Sequence, residues 1–240
     1  LQENFPQSEL IEESLYWQGL TLWASERTDE ARDILETVAG LSNPTFSPKA
    51  QLALAELEAG EGNYEAATQA YHHLLSQIKQ KKLRAEIWKG LGNAYFQLKN
   101  DGEALQAYTH VLTSNPDPTT NYQTRLHIGR VLERQGRLEE AMQTYEKTLK
   151  IKRFRSYVPD IRLKQANVYN LMGRVEDALE AYQEIIQDNP RTEYSAGASY
   201  RMGLIEQKQR KDLVRAKELF EEARRARGSS SVALLARDQL

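Results

Sequence analysis

Apolar residues in the stretch 85–118, AEIWKGLGNAYFQLKNDGEALQAYTHVLTSNPDP, recur at three- and four-residue steps. Trp88, Leu91, Gly92 and Tyr95 share one face of a helix of period 3.6, and Ala104, Leu105, Tyr108, Val111 and Leu112 share the face of a second. Lys99-Asn100-Asp101-Gly102 between them is a turn cluster. Asn115-Pro116 ends the second helix, because proline disfavours helical backbone in the residue before it. The pattern predicts two short amphipathic helices packed antiparallel, with Gly92 and Ala104 as the small residues where their backbones approach. One such pair cannot bury its apolar face alone, so neighbours must stack on it.

The neighbours are present. The Gly92 slot recurs as Gly19, Ala55, Gly92, Gly129, Ala166 and Gly203, at spacings of 36, 37, 37, 37 and 37. The Ala104 slot recurs as Ala31, Ala67, Ala104, Ala141, Ala178 and Ala216, at 36, 37, 37, 37 and 38. The Tyr108 slot reads Leu35, Tyr71, Tyr108, Tyr145, Tyr182 and Phe220. Three slots keeping one period define six units, over 12–45, 48–81, 85–118, 122–155, 159–192 and 196–228. One extra residue falls in the turn of the sixth, near Gln209 to Asp212. Residues 1–7, with Phe5-Pro6, read as a lead-in, and Ser8 as an N-cap. Asn43-Pro44 and Ser47-Pro48 mark the crossing from the first unit to the second. After Gly228-Ser229-Ser230, Ser231 caps a last helix over 231–240, with Val232, Leu235 and Ala236 on one face. This is either a solvating terminal helix or the first helix of a truncated seventh repeat.

The spacing W-x2-L-G-x2-Y … A-x3-Y … P, carried by Trp88, Leu91, Gly92, Tyr95, Ala104, Tyr108 and Pro116, resembles the tetratricopeptide repeat. The resemblance implies an all-α fold: a right-handed α-solenoid of six helix–turn–helix repeats plus a C-terminal helix, one domain over 1–240. It implies a non-catalytic scaffold or adaptor that binds a partner peptide or protein in a concave groove lined by the first helices. Mapped slot by slot, the inward positions are Tyr16, Leu20 and Trp23; Lys49, Leu52 and Glu56; Lys89, Asn93 and Phe96; Leu126, His127 and Arg130; Leu163, Lys164 and Asn167; and Tyr200, Arg201 and Leu204. Peptide contacts are therefore expected from Lys89, Asn93, His127, Arg130, Lys164, Asn167 and Arg201, and apolar contacts from Tyr16, Leu20, Trp23 and Phe96. Lys89 and Asn93 resemble the opening pair of the carboxylate clamp of chaperone-binding members. His127 and then Asp160 and Lys164 stand where that clamp needs other residues, so the full clamp is absent. What remains is a groove expected to favour an acidic or carboxylate-bearing partner, its two asparagines bonding a peptide backbone. The segment Pro190–Ser195 with Ala198 and Tyr200–Gly203 looks like a junction of bacterial envelope members, such as outer-membrane assembly lipoproteins and periplasmic cell-division coordinators. That favours a bacterial source and a periplasmic or envelope setting over the cytoplasm.

Charge and composition narrow the chemistry. A net charge of −2 argues against a general polyanion binder. With no cysteine, disulfides, thiolate catalysis and cysteine-ligated zinc are excluded. Second helices begin acidic and end in basic runs, 79–84, 150–155 and 224–227, as the helix macrodipole favours. Four histidines, His72, His73, His110 and His127, show no metal-pair spacing, and Glu12-Glu13, Glu139-Glu140 and Glu221-Glu222 sit on polar helix segments. No catalytic residue, metal or cofactor is expected. The second reading is a binder of nucleic acid or an anionic membrane through Lys150-Ile151-Lys152-Arg153-Phe154-Arg155, a basic run with an aromatic inside it. Tyr16, Trp17, Leu20 and Trp23 crowd two turns of one helix, so a homodimer through this end repeat is a further expectation. Packing of the Ala104 slot makes one direct prediction. Ala104→Trp should lower stability by about 1–3 kcal/mol through overpacking, read as a fall in the melting temperature.

Overall fold

The computed structural model describes residues 9–225 and 231–239. The lead-in, the Ser8 cap, the 228–230 linker, Leu240 and the capping side chain of Ser231 lie outside the described residues. The helices in chain order are α1 (Glu9–Ala24), α2 (Thr28–Ala39), α3 (Phe46–Gly60), α4 (Tyr64–Gln77), α5 (Lys81–Gln97), α6 (Asp101–Thr113), α7 (Pro118–Arg134), α8 (Leu138–Leu149), α9 (Val158–Leu171), α10 (Val175–Asp188), α11 (Glu193–Ile205), α12 (Leu213–Arg225) and α13 (Ser231–Arg237). Among the described residues there is no strand. The fold is an all-α solenoid of repeats. Its contacts divide into two compact units, 1–124 and 125–240, the division falling inside α7.

Every turn inside a repeat is built the same way. One residue takes left-handed backbone: Glu26, Gly62, Lys99, Gly136, Gly173 and Lys211. In the first five turns the next N–H reaches back five residues, as in Asn63 N to Glu58 O at 2.9 Å and Asn100 N to Tyr95 O at 2.9 Å. This is the Schellman arrangement, which satisfies the orphan carbonyls of the first helix. The same residue then accepts the first bond of the second helix, always from the alanine slot, as in Ala67 N to Asn63 O and Ala104 N to Asn100 O. The extra residue of the sixth turn is taken up by a π-helical turn over Glu206–Arg210, and Asp212 N reaches back six residues to Glu206 O. The insertion is absorbed before the second helix begins, so Ala216 keeps its bond to Asp212.

First helices start a few residues ahead of the expected repeat boundaries, because polar caps precede the first apolar slot. Asn43 Oδ1 accepts from the N–H of Thr45 and Phe46, and Asp117 Oδ1 from those of Thr119 and Thr120. Thr192 and Ser195 form a reciprocal capping box. Ser47-Pro48 is thus in the first turn of α3, not at a crossing; proline is tolerated there because those N–H groups have no partner inside the helix. The 79–84 run is also displaced. α4 ends at Gln77, so Lys81 and Lys82 open α5, and only Arg84 serves α4, donating to the carbonyls of Leu75 and Ile78 at 2.6 and 2.8 Å. The last helix stops at Arg237. Its Ala236 is fully buried against Ala216, Phe220 and Ala223, whereas Leu235, expected on the inner face, is 48% exposed. Alanine is the side chain small enough to approach that core.

The glycine slot makes room for a ring. A Cβ on Gly92 would come within 2.7 Å of the Tyr108 ring, one on Gly203 within 2.6 Å of Phe220, and one on Gly129 still closer to Tyr145. At Gly19 the facing side chain is Leu35. What the small residue admits is therefore the side chain of the Tyr108 slot, not the second backbone. Gly90 does the same across a repeat boundary, lying against Tyr71 of the preceding unit. All four slot tyrosines are essentially buried. Gly102, in the first turn of α6, has nothing near its missing Cβ. The two environments predict opposite signs. Gly129→Ala should destabilise by about 1–3 kcal/mol, and Gly102→Ala should stabilise by up to about 1 kcal/mol; paired thermal melts check both.

Candidate functional site

In the first unit, α1, α3 and α5 stand side by side, each supplying the face not used against its own second helix. Between them lies a cavity of about 340 Å³, lined by Tyr16, Trp17 and Leu20 of α1, Lys49, Leu52, Ala53 and Glu56 of α3, Leu83, Glu86 and Lys89 of α5, and Thr120 at the start of α7. Its wall mixes aromatic and aliphatic side chains with charged ones. The Tyr16 ring meets Trp17 edge-on at 5.3 Å and tilts against Phe46 at 5.8 Å. Trp17 is 55% exposed beside the opening. Of the expected contact residues, Tyr16, Leu20 and Lys89 come together here. Trp23 does not line this cavity; its indole lies toward Gly60 at the end of α3, where no Cβ intervenes. Phe96, near the end of α5, is half-buried and does not line it either. Trp17, Leu83, Glu86 and Thr120 are lining residues that slot mapping misses, since it takes positions one turn apart and leaves out their flanking neighbours.

The cavity is of mixed charge. Burial raises the carboxyl of Glu56, the charge of Lys89 opposes that shift, and Glu86 reinforces it. Burial, with the charges of Glu56 and Glu86, raises the Tyr16 phenol too. The Lys49 ammonium lies over the Phe46 ring, 5.1 Å from its centroid. The cationic character expected around Lys89 is therefore balanced by two carboxylates.

The slot one residue beyond the glycine slot reads Leu20, Glu56, Asn93, Arg130, Asn167 and Leu204, and the structure gives it a second job. Tyr108 donates its hydroxyl to Asn93 Oδ1 at 2.8 Å, and Tyr182 donates to Asn167 Oδ1 at 2.6 Å. Arg130 cannot accept, and Tyr145 turns to Glu133 Oε1 at 2.6 Å. Leu35 and Phe220 have no hydroxyl, and there the slot is leucine. Asn93 and Asn167, expected to hold a peptide backbone, thus spend their carbonyl oxygens inside the fold. In the second unit Arg201 donates to the Gly197 carbonyl at 3.0 Å, and its charge favours the ionised form of Tyr182 against the dominant effect of burial. Lys164 and His127 are half-buried and Arg130 is exposed. Tyr200 and Leu204, assigned inward, pack on the core of Ala216, Phe220 and Ala223.

The basic run 150–155 folds as a 3-10 turn over Lys152–Tyr157. Phe154 is 1% exposed. The aromatic inside the run is a core anchor, while Lys150, Lys152, Arg153 and Arg155 stay exposed. The histidines have local partners: His72 bonds Tyr95 at 2.7 Å, His73 bonds Gln77 at 3.0 Å, and His110 stacks on Trp88 with centroids 4.2 Å apart. Among the described residues no group of three or more His, Asp or Glu side chains is placed to hold a metal ion.

Glu56 gives a pH test of this geometry. Its folded pKa is raised, so the charged form costs stability once pH exceeds the ordinary glutamate value of 4.5. That cost grows until pH passes the raised folded value and is absent below the ordinary one. Glu56→Gln should therefore raise the melting temperature at pH 7 relative to the parent, with the advantage fading toward pH 4. An equal gain at both pH values would contradict the burial described.

Models of the tetratricopeptide repeat match residues 16–78, 85–118, 122–154 and 160–192. None of the curated proteins compared matches the chain. Among solved structures, PilF of Pseudomonas aeruginosa superposes with a TM-score of 0.64 at 18% identity, over 95% of this chain and 97% of that one. The repeats of a putative kinesin light chain from Podospora anserina superpose with a TM-score of 0.61 at 15% identity, over 72% and 92%. A thermophilic repeat protein of Thermus thermophilus gives 0.54 at 22% identity, over 78% and 98%. At such identities the likeness is one of fold. The four matched stretches carry the same glycine, alanine and ring slots that pack each hairpin here, and by them the chain belongs to the tetratricopeptide repeat family.

Proposed function

We propose that this protein-interaction scaffold holds an extended segment of a partner protein in the cavity between α1, α3 and α5. The observation that carries the reading is the cavity itself. Three successive first helices place Tyr16, Trp17, Leu20, Leu52 and Leu83 around one opening, with Lys49, Glu56, Glu86 and Lys89 among them. An exposed tryptophan at the edge of an apolar hollow is the kind of anchor on which binding energy concentrates. Tetratricopeptide repeats are typically non-catalytic. The reading keeps Lys89 as a contact and moves Asn93 and Asn167 into support. Polyanion binding at 150–155 keeps four exposed cations, Lys150, Lys152, Arg153 and Arg155, but loses the ring of Phe154, so it is the weaker reading.

Selection of a random-peptide display library on the whole chain tests the proposal. Selected peptides should lose at least about tenfold in affinity on Trp17→Ala, a change of roughly 1.4 kcal/mol or more, while the melting temperature stays within about 2–4 °C of the parent because the side chain is exposed. Affinity should fall less between low and moderate salt for peptides anchored in the hollow than it does for polyanion binding, which falls steeply. Peptides indifferent to Trp17→Ala would move the interaction elsewhere. Light scattering on parent and variant covers self-association: a monomer in both removes a second copy as the occupant.

A further inference from the structure

A second cavity adjoins the first. It measures about 350 Å³ and is lined by Lys81, Lys82, Ala85, Glu86 and Lys89 of α5, by Ser114, Asn115, Pro116 and Asp117 of the loop after α6, and by Thr120 of α7. Glu86, Lys89 and Thr120 line both cavities, so the two form one furrow. One end is aromatic and aliphatic. The other is rimmed by three lysines.

Two carboxylates, Asp117 and Glu86, line the cavity with those lysines. Asp117 Oδ1 caps α7 by accepting from the N–H of Thr119 and Thr120, and the Thr120 side-chain hydroxyl first, with these N–H groups, holds its carboxyl below the usual range. The charge of Glu86 is felt by Glu56 and Tyr16, at the aromatic end. Among the described residues no carboxylate forms an ion pair with Lys81, Lys82 or Lys89. Lys81 and Lys82 also occupy the first turn of α5, which has no acidic residue, and there the helix dipole disfavours cations. α2, α6, α8 and α10 each carry acids in that turn. Local helix energetics therefore give no reason for the lysines, and the furrow supplies one.

We infer that the partner segment carries an acidic run beside its apolar anchor, with the anchor in the Tyr16–Leu52 hollow and the carboxylates against Lys81, Lys82 and Lys89. The inference rests on the cavity reading above and adds the chemistry and direction of the occupant. It relocates the acidic preference expected for the groove from the amide slots to the start of α5. The alternate source of such an anion, a phosphorylated side chain, presents the same charge and is separated by the test.

The experiment uses unphosphorylated display-selected dodecapeptides, resynthesised with a fluorescent label and titrated by anisotropy against the whole chain at about 0.15 M salt. Selected peptides should place two or more Asp or Glu residues on one side of an aromatic or leucine anchor. Lys81→Glu/Lys82→Glu should weaken them at least about tenfold, with helicity by circular dichroism retained. A peptide with its acids changed to lysine should prefer the double variant over the parent, a reversal that a general loss of structure cannot produce. Peptides lost on Trp17→Ala but held equally by parent and double variant overturn the lysine inference and leave the cavity reading intact. Peptides indifferent to both overturn both. Selected peptides without acids that gain affinity for the parent only when phosphorylated at a serine overturn the carboxylate assignment.

Discussion

Four of the six hairpins depend on one steric exchange: a side chain from the second helix fills the space that the first helix leaves by omitting a Cβ, and in the other two, at Ala55 and Ala166, the slot is still the smallest side chain with one. Tyr108 over Gly92, Tyr145 over Gly129 and Phe220 over Gly203 are the same contact, and Leu35 over Gly19 is its aliphatic version. The exchange fixes the helices in rotation and in height, because a ring seats against one missing Cβ and no other. The turn must then deliver the second helix at that height. It does so with a single left-handed residue and a bond from the alanine slot to the residue just before the helix. When an extra residue enters the sixth turn, the first helix loosens into a π turn so that Ala216 and Phe220 keep their places. Core registry dominates, and the local helix geometry yields to it.

Burying a phenol creates a second constraint, since an unpaired hydroxyl in the core costs about 1–3 kcal/mol. The slot after the glycine answers it with asparagine in the third and fifth repeats, and the fourth recruits Glu133 because arginine has no acceptor. The first helix must therefore spend polar groups on its own tyrosine before any remain for a ligand. Leu35 asks for no acceptor, and in the second repeat the corresponding polar group, Glu56, lines the cavity beside Lys89 and Glu86. Among the described residues the first two repeats thus make no such use of this slot, whereas the third spends Asn93 on Tyr108.

This explains which features are legible in the sequence. The glycine, alanine and ring slots announce themselves by period, and the turn insertion shows as one spacing of 38 in place of 37. Fold and repeat count follow from them. Asn93 and Asn167 carry a second role that the sequence does not announce, because an exposed-face asparagine looks alike whether or not it bonds a neighbour's hydroxyl. The covariation that separates the two cases runs between slots 15 residues apart, with leucine wherever the ring lacks a hydroxyl, and it is visible once the contact is known. The burial of Phe154 is hidden for a different reason. A ring inside a basic run has no period to reveal that its backbone turns inward. The lysines at 81 and 82 read as the end of α4 because charge alone marks a helix end without saying whose end it is.

The same reasoning bears on where a binding surface can arise in such an array. Slots inside the hairpin answer to the ring, the glycine and the hydroxyl, and changes there alter stability before they alter recognition. Slots between first helices answer only to their neighbours, so they can drift in chemistry while the period persists. Residues that defy local helix preference are then the informative ones. Lys81 and Lys82 oppose the dipole of α5 and lack the acidic partners that open α2, α6, α8 and α10, yet they stand at the rim of a furrow that continues into the aromatic hollow. A charge that the fold does not ask for, placed where the fold leaves space, is the physical form that a recognition element takes in a repeat scaffold.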